Sequence, residues 1–209
     1  PFNLKTMSNW IQAGIPLSQS KKAIILLHGR GASAESILSL ADYLKLADFS
    51  IFAPQAAQRT WYPYGFMASD QGNLSALNSS LQQVSLLFQF LIENGKAPEQ
   101  IYVMGFSQGA CLSLEFAARN AQKLGGVVAF TGGLIGEKLE EKKYSGDFQG
   151  TPILLSSSAH DMHVPAQRIH DSAQLLQKMG AEVSLKFFED ELHTIRPEEL
   201  TWVNQTLFL

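Results

Sequence analysis

Apolar residues along this chain fall into two alternating kinds of segment. Short unbroken runs at residues 23–27 (AIILL), 51–53, 101–104 (IYVM), 127–130 and 153–155 predict buried strands, and residues 183–188 predict a last one. Runs that are apolar at every position, not at every second one, suit strands covered on both faces of a parallel sheet. Between them the period changes. Leu77, Leu81, Val84, Leu87, Phe88 and Leu91 recur at spacings of three and four, as do Ala166, Ile169, Ala173, Leu176 and Met179, so each set shares one face of a helix. Gly95 and Gly180 follow these two stretches, where a helix end favours a residue that accepts a positive φ. Strand–helix alternation of this kind predicts an α/β sheet with right-handed crossovers. The opening segment to Gln19 is expected to add antiparallel edge strands. Residues 132–150, rich in Gly, Lys and Glu, are expected to form an exposed excursion.

Composition narrows the class. With 209 residues the chain is long for a minimal domain and short for two, so one domain over 1–209 is expected. Hydrophobic residues make up 45% and charged residues 17%, the latter below the roughly 25% usual in soluble proteins, in keeping with an extensive buried sheet. The net charge is -3, and no basic cluster exceeds Lys21-Lys22 or Lys142-Lys143, so there is no footprint for nucleic acid. No window approaches the roughly 18 apolar residues of a transmembrane helix, and no stable membrane insertion is expected. Residues 1–7 (PFNLKTM) lack the charged head and apolar core of a signal peptide. Cys111 is the only cysteine, which excludes an internal disulfide and suits a reducing compartment, so a cytoplasmic location is expected.

Chemistry enters where the third strand run ends. Residues 101–110 (IYVMGFSQGA) contain G-x-S-x-G as Gly105, Phe106, Ser107, Gln108 and Gly109. A serine raised on a sharp strand-to-helix turn needs small residues two before and two after it, because side chains there meet neighbouring backbone. The helix expected over 110–119 then directs its N-terminal dipole at the serine, favouring negative charge on a substrate oxygen. The plain alternative is a glycine-rich turn with a capping serine.

A serine hydroxyl is a weak nucleophile unless a base takes its proton. Of His28, His160, His163, His170 and His193, only His193 lies after the last strand run and before the final helix. Asp161 follows the run at 153–155 and precedes the helix at Ala166, which suits the acid that orients the imidazole. Asp190 and Glu189 are rival acids, though they adjoin His193 on the same loop. His160-Asp161-Met162-His163 has the look of a metal cluster, but a metal needs at least three converging ligands, and no metal or cofactor is expected. His170 reads as a solvated residue on a helix flank.

Residues 28–31 (HGRG) follow the first long strand run. A tetrahedral oxyanion needs two fixed donors, and the backbone N–H groups of Gln108 and Arg30 are assigned to it. His28 reads as a buried structural histidine. The aromatic loop at 59–67 (RTWYPYGFM) offers Trp61, Tyr62 and Phe66 as an apolar wall for a substrate, with core packing as the alternative for each. Neither a P-loop nor G-x-G-x-x-G is present, which removes a phosphate cradle.

With these residues in place, the chain resembles the phospholipase/carboxylesterase family of α/β hydrolases. The resemblance rests on LLHGRGAS (26–33), APQAAQRTWYP (53–63), MGFSQGA (104–110), Asp161 with Val164-Pro165, and LHTIRPEEL (192–200). It implies an α/β-hydrolase fold, a mostly parallel sheet with helices on both faces and little or no lid. It also implies hydrolysis of a small-molecule carboxylic ester or thioester through an acyl-enzyme on Ser107, and it leaves room for a homodimer. Two segments depart from the family pattern. Around the acid, Ser157-Ser158-Ala159-His160-Asp161-Met162-His163 lacks the usual glycine and first proline, and Leu192-His193 stands where Gly-His is familiar. The dienelactone-hydrolase cysteine nucleophile is replaced by Ser107, and Cys111 reads as a small buried residue. Lysophospholipase-like or dienelactone-type hydrolysis, amide or peroxide-dependent chemistry on the same triad, and a non-catalytic binding protein on this fold remain as alternatives.

Overall fold

The computed structural model describes residues 9–209. Seven strands form one sheet in the order β1-β3-β2-β4-β5-β6-β7. They are β1 (Trp10–Gly14), β2 (Lys22–Leu27), β3 (Phe49–Pro54), β4 (Ile101–Phe106), β5 (Gly126–Phe130), β6 (Pro152–Ser158) and β7 (Glu182–Phe188). Every neighbouring pair is parallel except β1 with β3, which is antiparallel at the sheet edge. Of the edge strands expected in the opening segment, β1 lies within the described residues. Residues 15–19 form a turn and add no further strand, and the remainder of that expectation, with the expected absence of a signal peptide over 1–7, falls on residues 1–8, outside the described residues.

The unbroken apolar runs are explained by cover on both faces. Ile25, Leu27, Val103, Val127 and Leu155 point into one core, and Ile24, Leu26, Met104, Val128 and Leu154 into the other. The first core is closed by α2 (Asp70–Glu93), α3 (Gln108–Arg119) and α4 (Ala166–Lys178), the second by α1 (Ala34–Leu38) and α5 (Pro197–Thr206). All six residues of the predicted stripe on α2 are buried, and on α4 Ile169, Ala173 and Leu176 are. Gly95 (φ 88°) and Gly180 (φ 84°) end these helices in the left-handed region. Among the described residues no helix is long and apolar enough to cross a membrane.

The excursion at 132–150 departs from the expectation. Its charged middle faces solvent, but residues 132–136, Tyr144 and Phe148 are buried. Two buried charges hold it. The Arg168 guanidinium donates to the carbonyls of Leu134, Gly136 and Glu137, and the Glu115 carboxylate accepts from Ile135 N–H and the Tyr144 hydroxyl. Composition reported the charged residues; the satisfied main chain beneath them decides the burial.

Candidate active site

The parallel sheet delivers the chemistry to the carboxyl ends of its strands. At the end of β4 the chain turns into α3 through Ser107, whose φ of 53° and ψ of -117° are strained for a residue with a side chain. The flanking glycines make this turn possible. A Cβ on Gly105 would lie 2.2 Å from the Gly109 carbonyl oxygen, and one on Gly109 would lie 2.0 Å from that of Leu27.

Three elements meet at Ser107. His193, on the loop between β7 and α5, places Nε2 2.8 Å from Ser107 Oγ and Nδ1 2.7 Å from Asp161 Oδ2. Asp161, on the loop between β6 and α4, has no exposed side-chain surface, and its Oδ1 accepts the N–H groups of His163 and Val164 at 2.7 and 2.9 Å. The imidazole packs against the rings of Phe106 and His163, at 5.3 and 5.1 Å centre to centre, and keeps 27% of its side-chain surface in solvent. The sequence therefore brought the three predicted residues into one hydrogen-bonded chain. A profile of the phospholipase/carboxylesterase family matches residues 13–208. The chain belongs to that family.

Its relatives agree. A crystal structure of a phospholipase/carboxylesterase from Dyadobacter fermentans is 46% identical, covers 96% of both chains and superposes with a TM-score of 0.95. Acyl-protein thioesterase 1 of Gibberella zeae is 26% identical over 213 residues, 91% of each chain. The carboxylesterase of Bacillus cereus, at 15% identity and a TM-score of 0.76 over 94% of this chain, shares the fold.

In this member the rival acids are engaged elsewhere. Asp190 accepts from Arg196 Nη2 (2.5 Å) and Leu192 N–H and meets the Ser158 hydroxyl. Those contacts, the Leu192 N–H first, hold its carboxyl below the usual range. Arg196 also donates to Ser158 Oγ and the Leu192 carbonyl and pairs with the buried Glu199, so it ties the His193 loop to β6. This staple gave no signal in the sequence beyond a charged R-P-E-E run. Glu189 faces His160 at 3.7 Å, both well exposed. Among the described residues no three potential metal ligands converge.

The loop after β2 reaches the same centre. A Cβ on Gly29 would stand 3.6 Å from Ser107 Cβ, and no described residue accepts from the N–H of Arg30 or of Gln108. His28 is fully buried, and burial lowers its pKa. Its Nε2 accepts the Ala56 N–H and its Nδ1 donates to the Gly29 carbonyl, the pattern of a neutral imidazole bracing the turn.

A cavity of about 380 Å³ opens beside Ser107. Tyr62 and Phe66 line it, as do Phe106, Val164 and His163, which the sequence reading had not assigned to the wall. Trp61, expected on the wall, is instead buried behind it, its ring tilted against that of His28 and its indole N–H donating to the His28 carbonyl at 2.8 Å. Four side chains hold the aromatic loop: Asn73 accepts the Tyr64 N–H and donates to the Gly65 carbonyl, Ser80 donates to the Trp61 carbonyl, and two more come from the active-site turns. Gln108 accepts the Trp61 N–H and donates to the Tyr62 carbonyl, while Arg30 donates to Thr60 Oγ1 and the carbonyls of Pro63 and Tyr64. Cys111, at the cavity floor, is buried, which pushes its thiol up to about 12 and leaves it a neutral packing group. His170 stacks its exposed ring on Phe187, away from the site.

Proposed function

We propose that this protein is a serine hydrolase of carboxylic esters or thioesters, with Ser107 as nucleophile, His193 as general base and Asp161 as the orienting acid. The observation that carries the reading is the unbroken chain from Asp161 Oδ2 through His193 to Ser107 Oγ, at 2.7 and 2.8 Å, opening into a largely apolar cavity. Family membership and the resemblance to thioesterases and carboxylesterases support the same chemistry.

The steps follow from the geometry. Ser107 Oγ attacks the substrate carbonyl carbon as its proton passes to His193 Nε2, and Asp161 stabilises the imidazolium without taking the proton. The oxyanion is received by the N–H groups of Gln108 and Arg30, supported by both being uncommitted. His193 then protonates the leaving alkoxide or thiolate, and the acyl group remains on Ser107. Water enters, His193 takes its proton, and the second oxyanion collapses to the free acid and the original serine. Tyr62, Phe66 and Phe106 offer the wall for a short or medium acyl or aromatic group. A cytoplasmic place of action belongs to the same proposal, supported by a chain whose single cysteine permits no internal disulfide.

Labelling with a fluorophosphonate, followed by peptide mapping, tests the nucleophile, and a panel of p-nitrophenyl esters and acyl-CoA thioesters tests the reaction. Label on Ser107 with turnover in the panel is expected. An unlabelled Ser107, or a Ser107→Ala variant that turns over as the wild type does, overturns the reading.

A further inference from the structure

The side chains lining the reaction cavity differ sharply in how far they are already committed. Ser107 and His193 serve the reaction. Gln108 is spent on the aromatic loop, and the Tyr62 hydroxyl faces the Cys111 thiol. Two polar groups remain. No described residue hydrogen-bonds the His163 imidazole, which lines the cavity edge-on to His193. Arg30 uses both hydrogens on Nη1 and one on Nη2, so its Nε–H and a second Nη2–H have no acceptor among the described residues.

The charge is equally uneven. The protein carries a net charge of -3, yet no aspartate or glutamate lines this cavity. Asp161 is enclosed behind His193. Arg30 has no carboxylate within 4.0 Å among the described residues, and the carbonyls that hold it satisfy its hydrogens without cancelling its charge. Those three hydrogen bonds also fix the guanidinium, so a ligand meets a preorganised cation and loses little side-chain entropy on binding. The unspent recognition chemistry is thus donors and positive charge on an otherwise apolar wall.

We propose that the substrate carries an anionic group, a carboxylate on its acyl or alcohol portion, received by Arg30 and His163 while its ester carbonyl sits at Ser107. The inference rests on the hydrolase reading and adds the substrate's charge to it. The ester and the carboxylate must share one small molecule, because both sets of residues line one cavity of about 380 Å³. Hydrolysis of such a substrate yields a dicarboxylic acid when the charge is on the acyl side, or a hydroxy or mercapto acid when it is on the other.

Two matched pairs of esters test this. Mono-p-nitrophenyl glutarate is compared with p-nitrophenyl valerate, which has the same acyl length, and 4-acetoxybenzoate with 4-acetoxybenzamide. The reading is the ratio of kcat/KM, anionic over neutral. In at least one pair the wild-type ratio is expected to be about tenfold or more at low ionic strength, the scale of one charge-assisted hydrogen bond. It is expected to shrink as NaCl screens the cation, a measurement that needs no variant. His163→Leu and Arg30→Met should each pull that ratio toward one. Ratios at or below one in both pairs overturn the proposal and leave the hydrolase reading intact, as does a preference indifferent to salt and to both substitutions. Absence of turnover on all four esters, with Ser107 unlabelled, overturns both.

Discussion

Asp161 faces His193 with one carboxylate oxygen, 2.7 Å from Nδ1, and spends the other on the main-chain N–H groups of His163 and Val164. The carboxylate cannot rotate without breaking all three contacts, so the ring it orients is fixed as well.

Asp161→Asn keeps the shape but presents an amide that favours the wrong imidazole tautomer. The expected loss in kcat is on the order of ten-thousandfold. Ser107→Ala and His193→Ala should each cost a thousandfold or more, with little further loss in the double variant, since the residues act as a unit. Turnover near wild type in Asp161→Asn would assign the acid elsewhere.

Ser107 sits at φ 53° only because the surrounding turn holds it there. Glycine accepts that conformation without strain, whereas alanine keeps the Cβ. Ser107→Gly should therefore be inactive yet more stable than Ser107→Ala by about 1 kcal/mol, or about 2–4 °C in a protein of this size. Equal melting temperatures for the two variants would mean that the turn stores no strain.

Arg196→Ala leaves the Glu199 carboxylate buried without its cation and removes the guanidinium's bonds between the His193 loop and β6, leaving only those of the Ser158 hydroxyl to Asp190 and Leu192. A destabilisation of about 3 kcal/mol or more is expected, read by denaturant unfolding, together with a fall in kcat. Unchanged stability would show the staple to be dispensable.

Asp190 gives the same loop a pH dependence. Its folded carboxyl titrates lower than it would in the unfolded chain, so its stabilisation is present above the ordinary carboxylate pKa of about 4 and is lost as pH falls through the lowered value. Asp190→Asn should be less stable at neutral pH and lose less than the wild type on acidification, measured as unfolding midpoint against pH.

Gly29 and Gly109 are glycines for different reasons. A Cβ at Gly109 would meet main-chain oxygens at 2.0 and 2.6 Å, which cannot yield, so Gly109→Ala should fail to fold or lose more than 4 kcal/mol. At Gly29 the nearest atoms stand at 3.3 to 3.6 Å and include Ser107 Cβ, so Gly29→Ala should fold and lose activity out of proportion to stability. Comparing circular dichroism with kcat/KM for both variants checks the pair.

The sequence made legible what local periodicity and short motifs determine. β2 to β6 are readable by their apolar stretches, although β3 and β6 also bury Ser50 and Ser156 to Ser158, and the turn at Ser107 is readable because only glycine fits at positions 105 and 109. Contacts between distant polar groups were not readable. Nothing local tells that Arg196 reaches Ser158 and Leu192, or that Glu115 and Arg168 bury the excursion at 132–150. In the aromatic loop adjacent residues part ways, Tyr62 to the cavity and Trp61 to His28. In sequence His163 offers itself as a base or a metal ligand, and its place on the wall depends on how the Asp161 loop folds.

The aromatic loop is moored along residues 60–64 to the side chains of Arg30 and Gln108, whose main-chain N–H groups are the proposed oxyanion donors. Wall and machinery are consequently not separable modules. A loop of residues 59–67 transplanted from a relative would arrive without its anchorages unless positions 30, 73, 80 and 108 travelled with it, and selection for a new substrate acts on several separate stretches of chain at once.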